Sequence, residues 1–285
     1  MMLAFAKRNI LLYFRDKTSV FFSLLAVIIL VALYVLFLGD MTAKQLPDFP
    51  AKKALLMAWF IAGMLAVTSM TTTLASFGIL VDDRANNTYM DFYSSPISRT
   101  KLVGGYIISA LIVGFTMCLG TLIVSNLFLV VSGEAMLPLG KMIATSGVIV
   151  LAVLASASMI LLLVSFFKTS NAFAAASTVI GTLLGFLAGI YIPIGSLPDY
   201  LQTIVKLFPV SHSAALFRQI LMETSLIDSF ANAPVEMKEE FLFEMGIFYE
   251  INGEKASGLF SVFYLFATTL LFFTLSLFVM KRKKK

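Results

Sequence analysis

Few residues in this 285-residue chain are equipped for chemistry. There is one cysteine, Cys118, and one histidine, His212. Cys118 lies within an uncharged stretch, cannot pair within the chain, and reads as a small hydrophobe rather than a nucleophile. His212 stands between Ser211 and Ser213 at a predicted helix start. That position suits either a proton-coupling step or a capping or interface contact. The nearest approach to a phosphate-binding loop is Gly133 to Met142. There the second glycine comes seven positions after the first where the pattern needs five, and Met follows Gly140-Lys141 in place of Ser or Thr. No His, Glu or Cys cluster has metal-ligand spacing, and no Ser is placed with a His and a carboxylate in one loop. No catalytic residue and no cofactor is therefore assigned to this chain. What remains is the chemistry of contact, carried by aromatics, hydroxyls and glycines.

The elements that position those residues follow from composition. Apolar residues make up 59% of the chain and charged ones 13%, against about a quarter in a globular protein. Uncharged runs place spans at 18–39, 54–81, 102–132, 142–167, 169–194 and 258–280, each long enough to cross a bilayer core of about 30 Å as a helix. They are too long and too uniformly apolar for barrel strands, and backbone groups in hydrocarbon must be satisfied within the segment. The predicted fold is an all-α, polytopic membrane domain of six transmembrane helices covering 1–285. A soluble enzyme, a secreted disulfide scaffold and a nucleic-acid-binding domain are excluded. The first run reads as a span rather than a cleaved signal, since its core is too long and Gly39-Asp40-Met41 offers no small-x-small site.

Orientation comes from Lys and Arg. With both termini cytoplasmic, 13 cations face inward against four acids, and eight face outward against twelve. The positive-inside rule thus predicts cytoplasmic N- and C-termini in the plasma membrane, with Lys52, Lys53 and Lys141 as local exceptions. The basic tail Lys281 to Lys285 reads as a stop-transfer anchor next to anionic lipid, not as a nucleic-acid patch.

Four further features stand out. Residues 2–16 predict an amphipathic helix along the inner membrane surface, with Leu3, Ala6, Ile10, Tyr13 and Phe14 on the apolar side and Phe5 and Leu12 spoiling the polar one. The connection 82–101 predicts a short helix presenting Tyr89, Met90, Asp91, Phe92 and Tyr93 and ending at Ser94-Ser95-Pro96. Its aromatics either dock a cytoplasmic partner or pack back on the bundle. The outer segment 195–257 predicts two short half-buried helices, around Leu201 to Phe208 and Phe217 to Leu221, after a break between Pro193 and Pro198. Within the spans, Gly181, Gly185 and Gly189 recur at four-residue spacing, which suits a close-approach face. The second span carries a hydroxyl belt including Thr68, Thr72 and Ser76, and Thr178 lies one turn before Gly181; these hydroxyls line a path or simply join helices. No ionisable residue falls mid-span, which weighs against an ion-driven transporter.

RNILLYFRDKTSVFFSLL (Arg8–Leu25), SSPISR (Ser94–Arg99) and GIYIPIGSLPDYLQTIVKLFPVS (Gly189–Ser211) together resemble the membrane subunit of type-2 ABC transporters. Asp82-Asp83-Arg84 and Asn86-Asn87-Thr88 stand where that family often has a Glu-rich stretch and a Gly before Thr. The resemblance implies a permease of an ABC exporter, with ATP and Mg held by two separate ATPase subunits and a second permease subunit, identical or homologous. It implies that Tyr89 to Tyr93 form the coupling helix, Leu3 to Phe14 an interfacial elbow, and 193–208 an outer gate. It also implies that the first, second and fifth spans form the dimer interface and substrate path. A hydrophobic or amphipathic cargo, such as a drug, antimicrobial peptide or lipid, fits spans without central charge; polysaccharide export, a passive channel and a membrane immunity or sensor protein remain the alternatives.

Overall fold

The computed structural model describes residues 1–46, 48–93, 97–251 and 254–282, without the side chains of Ser19, Phe22, Leu24, Ala26, Gln45, Tyr89, Asp91, Tyr93, Arg99, Ile251, Met280, Lys281 and Arg282. Ser94–Pro96, expected to end the short helix, and the tail beyond Arg282 lie outside the described residues. Among the described residues the regular structure is helical apart from one ribbon, in which β1 (Glu250–Ile251) pairs antiparallel with β2 (Glu254–Lys255). Six helices among these residues are long and apolar enough to cross a membrane, so this is a multi-pass membrane protein.

α1 (Met2–Arg15) leads into α2 (Lys17–Leu33), which continues through a π-helical turn, Tyr34–Leu38, into α3 (Gly39–Gln45) as the first span. α4 (Lys52–Ala85) is the central element, with its most apolar stretch 89% buried. At about 1.5 Å per residue its 34 residues run ~51 Å, well beyond the ~30 Å core, so both charged ends project from the apolar slab. α5 (Thr88–Tyr93) is a short helix between α4 and α6 (Arg99–Val131), and α7 (Leu139–Val164) and α8 (Ser170–Leu187) follow. α13 (Gly258–Arg282) closes the chain. α6, α7 and α8 surround α4, and α13 leans on α7. By contrast, α8 and the apolar part of α13 bury only 11% of their most apolar stretch within the chain.

α8 ends at Leu187, seven residues before the predicted boundary. Ile190 N–H reaches Gly185 O at 2.8 Å and Gly189 N–H reaches Phe186 O at 3.0 Å, with Gly189 at φ +64°. These two bonds form a Schellman cap, which needs a left-handed residue that glycine supplies without strain. A 3-10 turn (Ile194–Ser196) and four helices then build a cap: α9 (Asp199–Lys206), α10 (Pro209–Leu221), α11 (Glu223–Ser229) and α12 (Val235–Glu244). α9 is half-buried as expected, but α10 is not. It inserts between α4, α7 and α13, buried from Pro209 through Arg218, with Pro209 in its first turn where a missing N–H costs nothing.

Candidate functional site

The last turn of α4 carries three consecutive charged residues, and successive helical positions point about 100° apart. Each therefore addresses a different neighbour. Asp82 accepts from Ser170 Oγ at 2.6 Å, at the start of α8. Asp83, only 6% exposed, accepts from both terminal nitrogens of Arg8 at 2.7 and 2.9 Å and from Tyr106 Oη at 2.5 Å. Arg84 donates to Val164 O at 3.0 Å, adding a second donor to the carbonyl that also accepts from Phe167 N–H where α7 ends. One turn of α4 thus fastens α1, α6, α7 and α8 immediately before the chain enters α5. The paired Arg8 fork is the geometry in which a carboxylate and a guanidinium bind best. Hydrogen bonding to Asp83 raises the Arg8 pKa above its ordinary value, although partial burial opposes it.

α5 joins this junction through Phe92. Its ring meets Phe5 edge-on at 5.0 Å, and the Arg8 guanidinium lies 5.1 Å above it. Phe5 in turn meets Tyr106 edge-on at 5.0 Å. Asn87, at φ +59°, makes the turn that separates α5 from α4. Of the five residues expected on the short helix, Phe92 packs back on the bundle while Met90 is 65% exposed. The side chains of Tyr89, Asp91 and Tyr93 fall outside the described residues.

The elbow helix buries part of the predicted apolar side, Ala6 and Tyr13, together with two residues outside it. Phe5, Ala6, Asn9 and Tyr13 are buried against α6, whereas Leu3 and Phe14 are exposed. The reason lies in the partner. Gly104 and Gly105 on α6 leave room that Met2 and Phe5 fill, since a Cβ there would fall 2.7 Å from Met2 Sδ and 2.6 Å from Phe5 Cδ1. Phe5, read from the pattern as a blemish on the polar side, is the contact that brings α1 to the junction.

The hydroxyl belt of α4 is turned into the chain. Thr68, Thr72 and Ser76 are all buried within the chain, so in this structure they line no open path. Thr68 Oγ1 donates to Met64 O at 2.8 Å and Thr72 Oγ1 to Thr68 O at 2.7 Å. Satisfied by their own helix, these two threonines pack like small apolar residues, whereas Ser76 Oγ is buried with no hydrogen-bond partner among the described residues. Ser69 Oγ lies 3.3 Å from Ser156 Oγ and links α4 to α7. Thr178, on α8, is exposed.

The three evenly spaced glycines do not form one face. A Cβ on Gly181 would meet nothing within 4 Å. At Gly185 it would collide with the ring of Tyr191 of the same chain, and Gly189 holds the cap turn at the end of α8. Equal spacing in sequence hides three different environments, because α8 stops between the second and third glycine.

Arg218 of the cap and Trp59 of α4 were not singled out by sequence. Arg218 is 0% exposed and donates to Ala188 O at 2.7 Å, Gly189 O at 3.1 Å and Gly246 O at 3.3 Å, with the Trp59 ring 5.0 Å from its guanidinium carbon. A cation at the carbonyl end of α8 also complements that helix's dipole. Trp59 Nε1 donates to Met245 O at 2.9 Å, so α4 holds the same loop. The available signal was a single cation within the apolar run Ala214 to Leu221, with no acid near it. His212 resolves to the interface reading. Its ring stacks on Tyr264 at 4.0 Å, Nδ1 lies 3.1 Å from Ser261 Oγ and Nε2 2.9 Å from Lys206 O. Among the described residues no group of three or more His, Cys, Asp or Glu could hold a metal ion.

A family model described as ABC-2 family transporter protein matches residues 41–278. The chain belongs to the ABC-2 transporter family. It is a permease, the membrane subunit of an ABC transporter, and permeases of this family work with ABC ATPase subunits. The match begins at Met41, so α1, with Phe5 and Arg8, lies outside the matched range. A comparison with curated proteins found no match to this chain.

Proposed function

We propose that this ABC-2 permease is half of an ATP-driven exporter whose energy enters through α5. The observation that carries the reading is the junction at the end of α4. Asp82, Asp83 and Arg84 tie that end to four helices, Phe92 ties α5 to Arg8, and Met90 stays open to a partner. A push on α5 would be passed to α1 and α6 as a rigid unit, since fixed polar contacts and packed rings transmit displacement better than a flexible loop.

In this reading two separate ATPase subunits hold ATP and Mg and dock beneath α5. A second permease subunit, identical or homologous, packs on the uncovered face of α8, where Thr178 is exposed and Gly181 has open space. The charge asymmetry of the segments sets both termini in the cytoplasm of a plasma-membrane protein, with the acidic cap outside. The cargo is a hydrophobic or amphipathic molecule moved outward, because the spans offer no central charge for a strongly ionic solute.

The test is reconstitution with the partner ATPase in vesicles loaded with an amphipathic dye. Efflux is expected to require ATP and to be lost in Met90→Asp, whose exposed position spares folding. Efflux that proceeds equally without ATP identifies a passive channel instead, and unchanged ATP-driven efflux in Met90→Asp rules out docking through α5.

A further inference from the structure

A cleft at the cap end of the first span has no place in the reading above. It lies between the π-helical turn, α3 and the start of α4, and has a volume of about 530 Å3. Its floor is apolar, formed by Tyr34, Leu56, Met57 and Phe128. Its rim is charged and balanced, with Asp40 and Asp48 facing Lys52 and Lys53. The distortion of the helix makes the space. A π turn carries an extra residue and occurs often at functional sites. Here it swings Tyr34 inward to stack on Phe60 at 4.5 Å, and Gly39 leaves room for the ring, since a Cβ there would sit 3.2 Å from Tyr34 Cζ. Val35, Leu36 and Phe37, displaced outward by the same turn, are exposed.

The height of the cleft in the membrane is set by its own residues. The apolar stretch of the first span ends at Lys44, and that of the second begins at Lys52. The charged rim is therefore at the level of lipid headgroups and the floor at the level of the first acyl carbons. The rim charges are unequally engaged. Lys52 bonds Asp48 at 3.0 Å and Leu46 O at 2.8 Å. Lys53, with its side chain 67% exposed, donates to Ser132 O at 2.7 Å and lies 3.9 Å from Glu134. Asp40 has no ion-pair partner among the described residues.

We propose that this cleft binds the headgroup of a phospholipid bearing a primary amine. The lipid phosphate sits against Lys53 with Lys52 behind it, the ammonium donates to Asp40, and an acyl chain follows the apolar floor and the displaced turn. An anionic lipid without an amine would satisfy the lysines but set its phosphate beside two carboxylates. A quaternary ammonium carries no N–H to donate to Asp40. The match is to a headgroup with one negative and one hydrogen-bonding positive charge, at the depth where such headgroups lie.

The test is binding, so its result does not depend on whether the export reading holds. Delipidated protein is titrated with phosphatidylethanolamine, phosphatidylcholine, phosphatidylglycerol and water-soluble phosphoethanolamine, following the midpoint of thermal unfolding. Lipid retained after purification is counted by native mass spectrometry. Phosphatidylethanolamine is expected to raise the midpoint with the lowest half-saturation. Asp40→Asn, at an exposed position without a partner, leaves the lipid-free midpoint unchanged and weakens that half-saturation about tenfold, the loss of one charge-assisted contact. Lys53→Gln weakens binding of every phospholipid. Equal shifts with all three lipids, or an unchanged preference in Asp40→Asn, overturn the proposal. An equal shift with phosphoethanolamine alone assigns the cleft to a soluble ligand and overturns the lipid assignment.

Discussion

At the α5 end, Asp82, Asp83 and Arg84 hold neighbouring helices through side-chain contacts that reach the surface, and the Arg8 side chain there keeps 32% of its exposure. At the cap end, Arg218 is fully buried and bonds only backbone carbonyls. The two arginines do different work for that reason. The Arg8 side of the ion pair is partly solvated although Asp83 is buried, so losing one partner there strands less unsolvated charge than at Arg218, and in the proposed reading the pair fixes the direction in which α1, α4 and α6 move together. A buried guanidinium surrounded by carbonyls contributes through the penalty its removal would bring, because those oxygens have no water to turn to. In the proposed reading, stability is concentrated in the cap and movement is prepared at the junction.

The comparison can be broken first at Arg218. Arg218→Met is expected to destabilise the purified protein by about 3 kcal/mol or more, since buried acceptors lose their donors. Thermal unfolding in detergent measures this, and a loss no larger than that of Arg8→Met removes the contrast between the two ends. Gly185→Leu should come next, at about 1–3 kcal/mol, because the side chain displaces Tyr191 within the chain. Gly181→Leu, facing open space, should leave the isolated chain unchanged within ~0.5 kcal/mol and show its effect only on assembly with a second permease. A shift of the unfolding midpoint in both variants would return all three glycines to one shared face.

The cap also carries a pH dependence. Burial lowers the His212 pKa to about 4, the hydrogen bond donated to Lys206 O opposing the shift. The unfolded imidazole, near 6.5, takes up its proton first, so the folded state loses stability as pH falls from about 6.5 towards 4. Between pH 7.5 and pH 5 the midpoint of unfolding is expected to drop in the wild type and to drop less in His212→Gln. An equal drop in both would assign the acid sensitivity to other groups. A role in proton coupling at neutral pH does not suit a ring held neutral in a stack with Tyr264.

The spans were legible in sequence because a bilayer leaves few alternatives: long uncharged runs must be helices, and six of them appear. The short helix after α4 was legible from the aromatics before Pro96. The contacts that give these elements a purpose were not. Arg8 and Asp83 are 75 positions apart, and nothing local marks them as partners. Phe5 looked misplaced because the helical pattern of α1 was read against the membrane, whereas Gly104 and Gly105 open a second face for it. Arg218 was counted among outer surface cations, since a sequence does not reveal three carbonyls gathered from the end of α8 and the loop at Gly246. The hydroxyls of α4 were ambiguous by nature, as the same Thr that can line a path can also bond its own helix.

The central claim is that the junction couples α5 to the bundle without being needed to fold it. Asp83→Asn, reconstituted with the partner ATPase, measures that claim directly when unfolding and ATP-driven efflux are followed on the same preparation. The account predicts an unfolding midpoint close to the wild type with efflux severely reduced, and partial recovery of efflux in the exchanged pair Arg8→Asp with Asp83→Arg. Wild-type efflux in Asp83→Asn would contradict it.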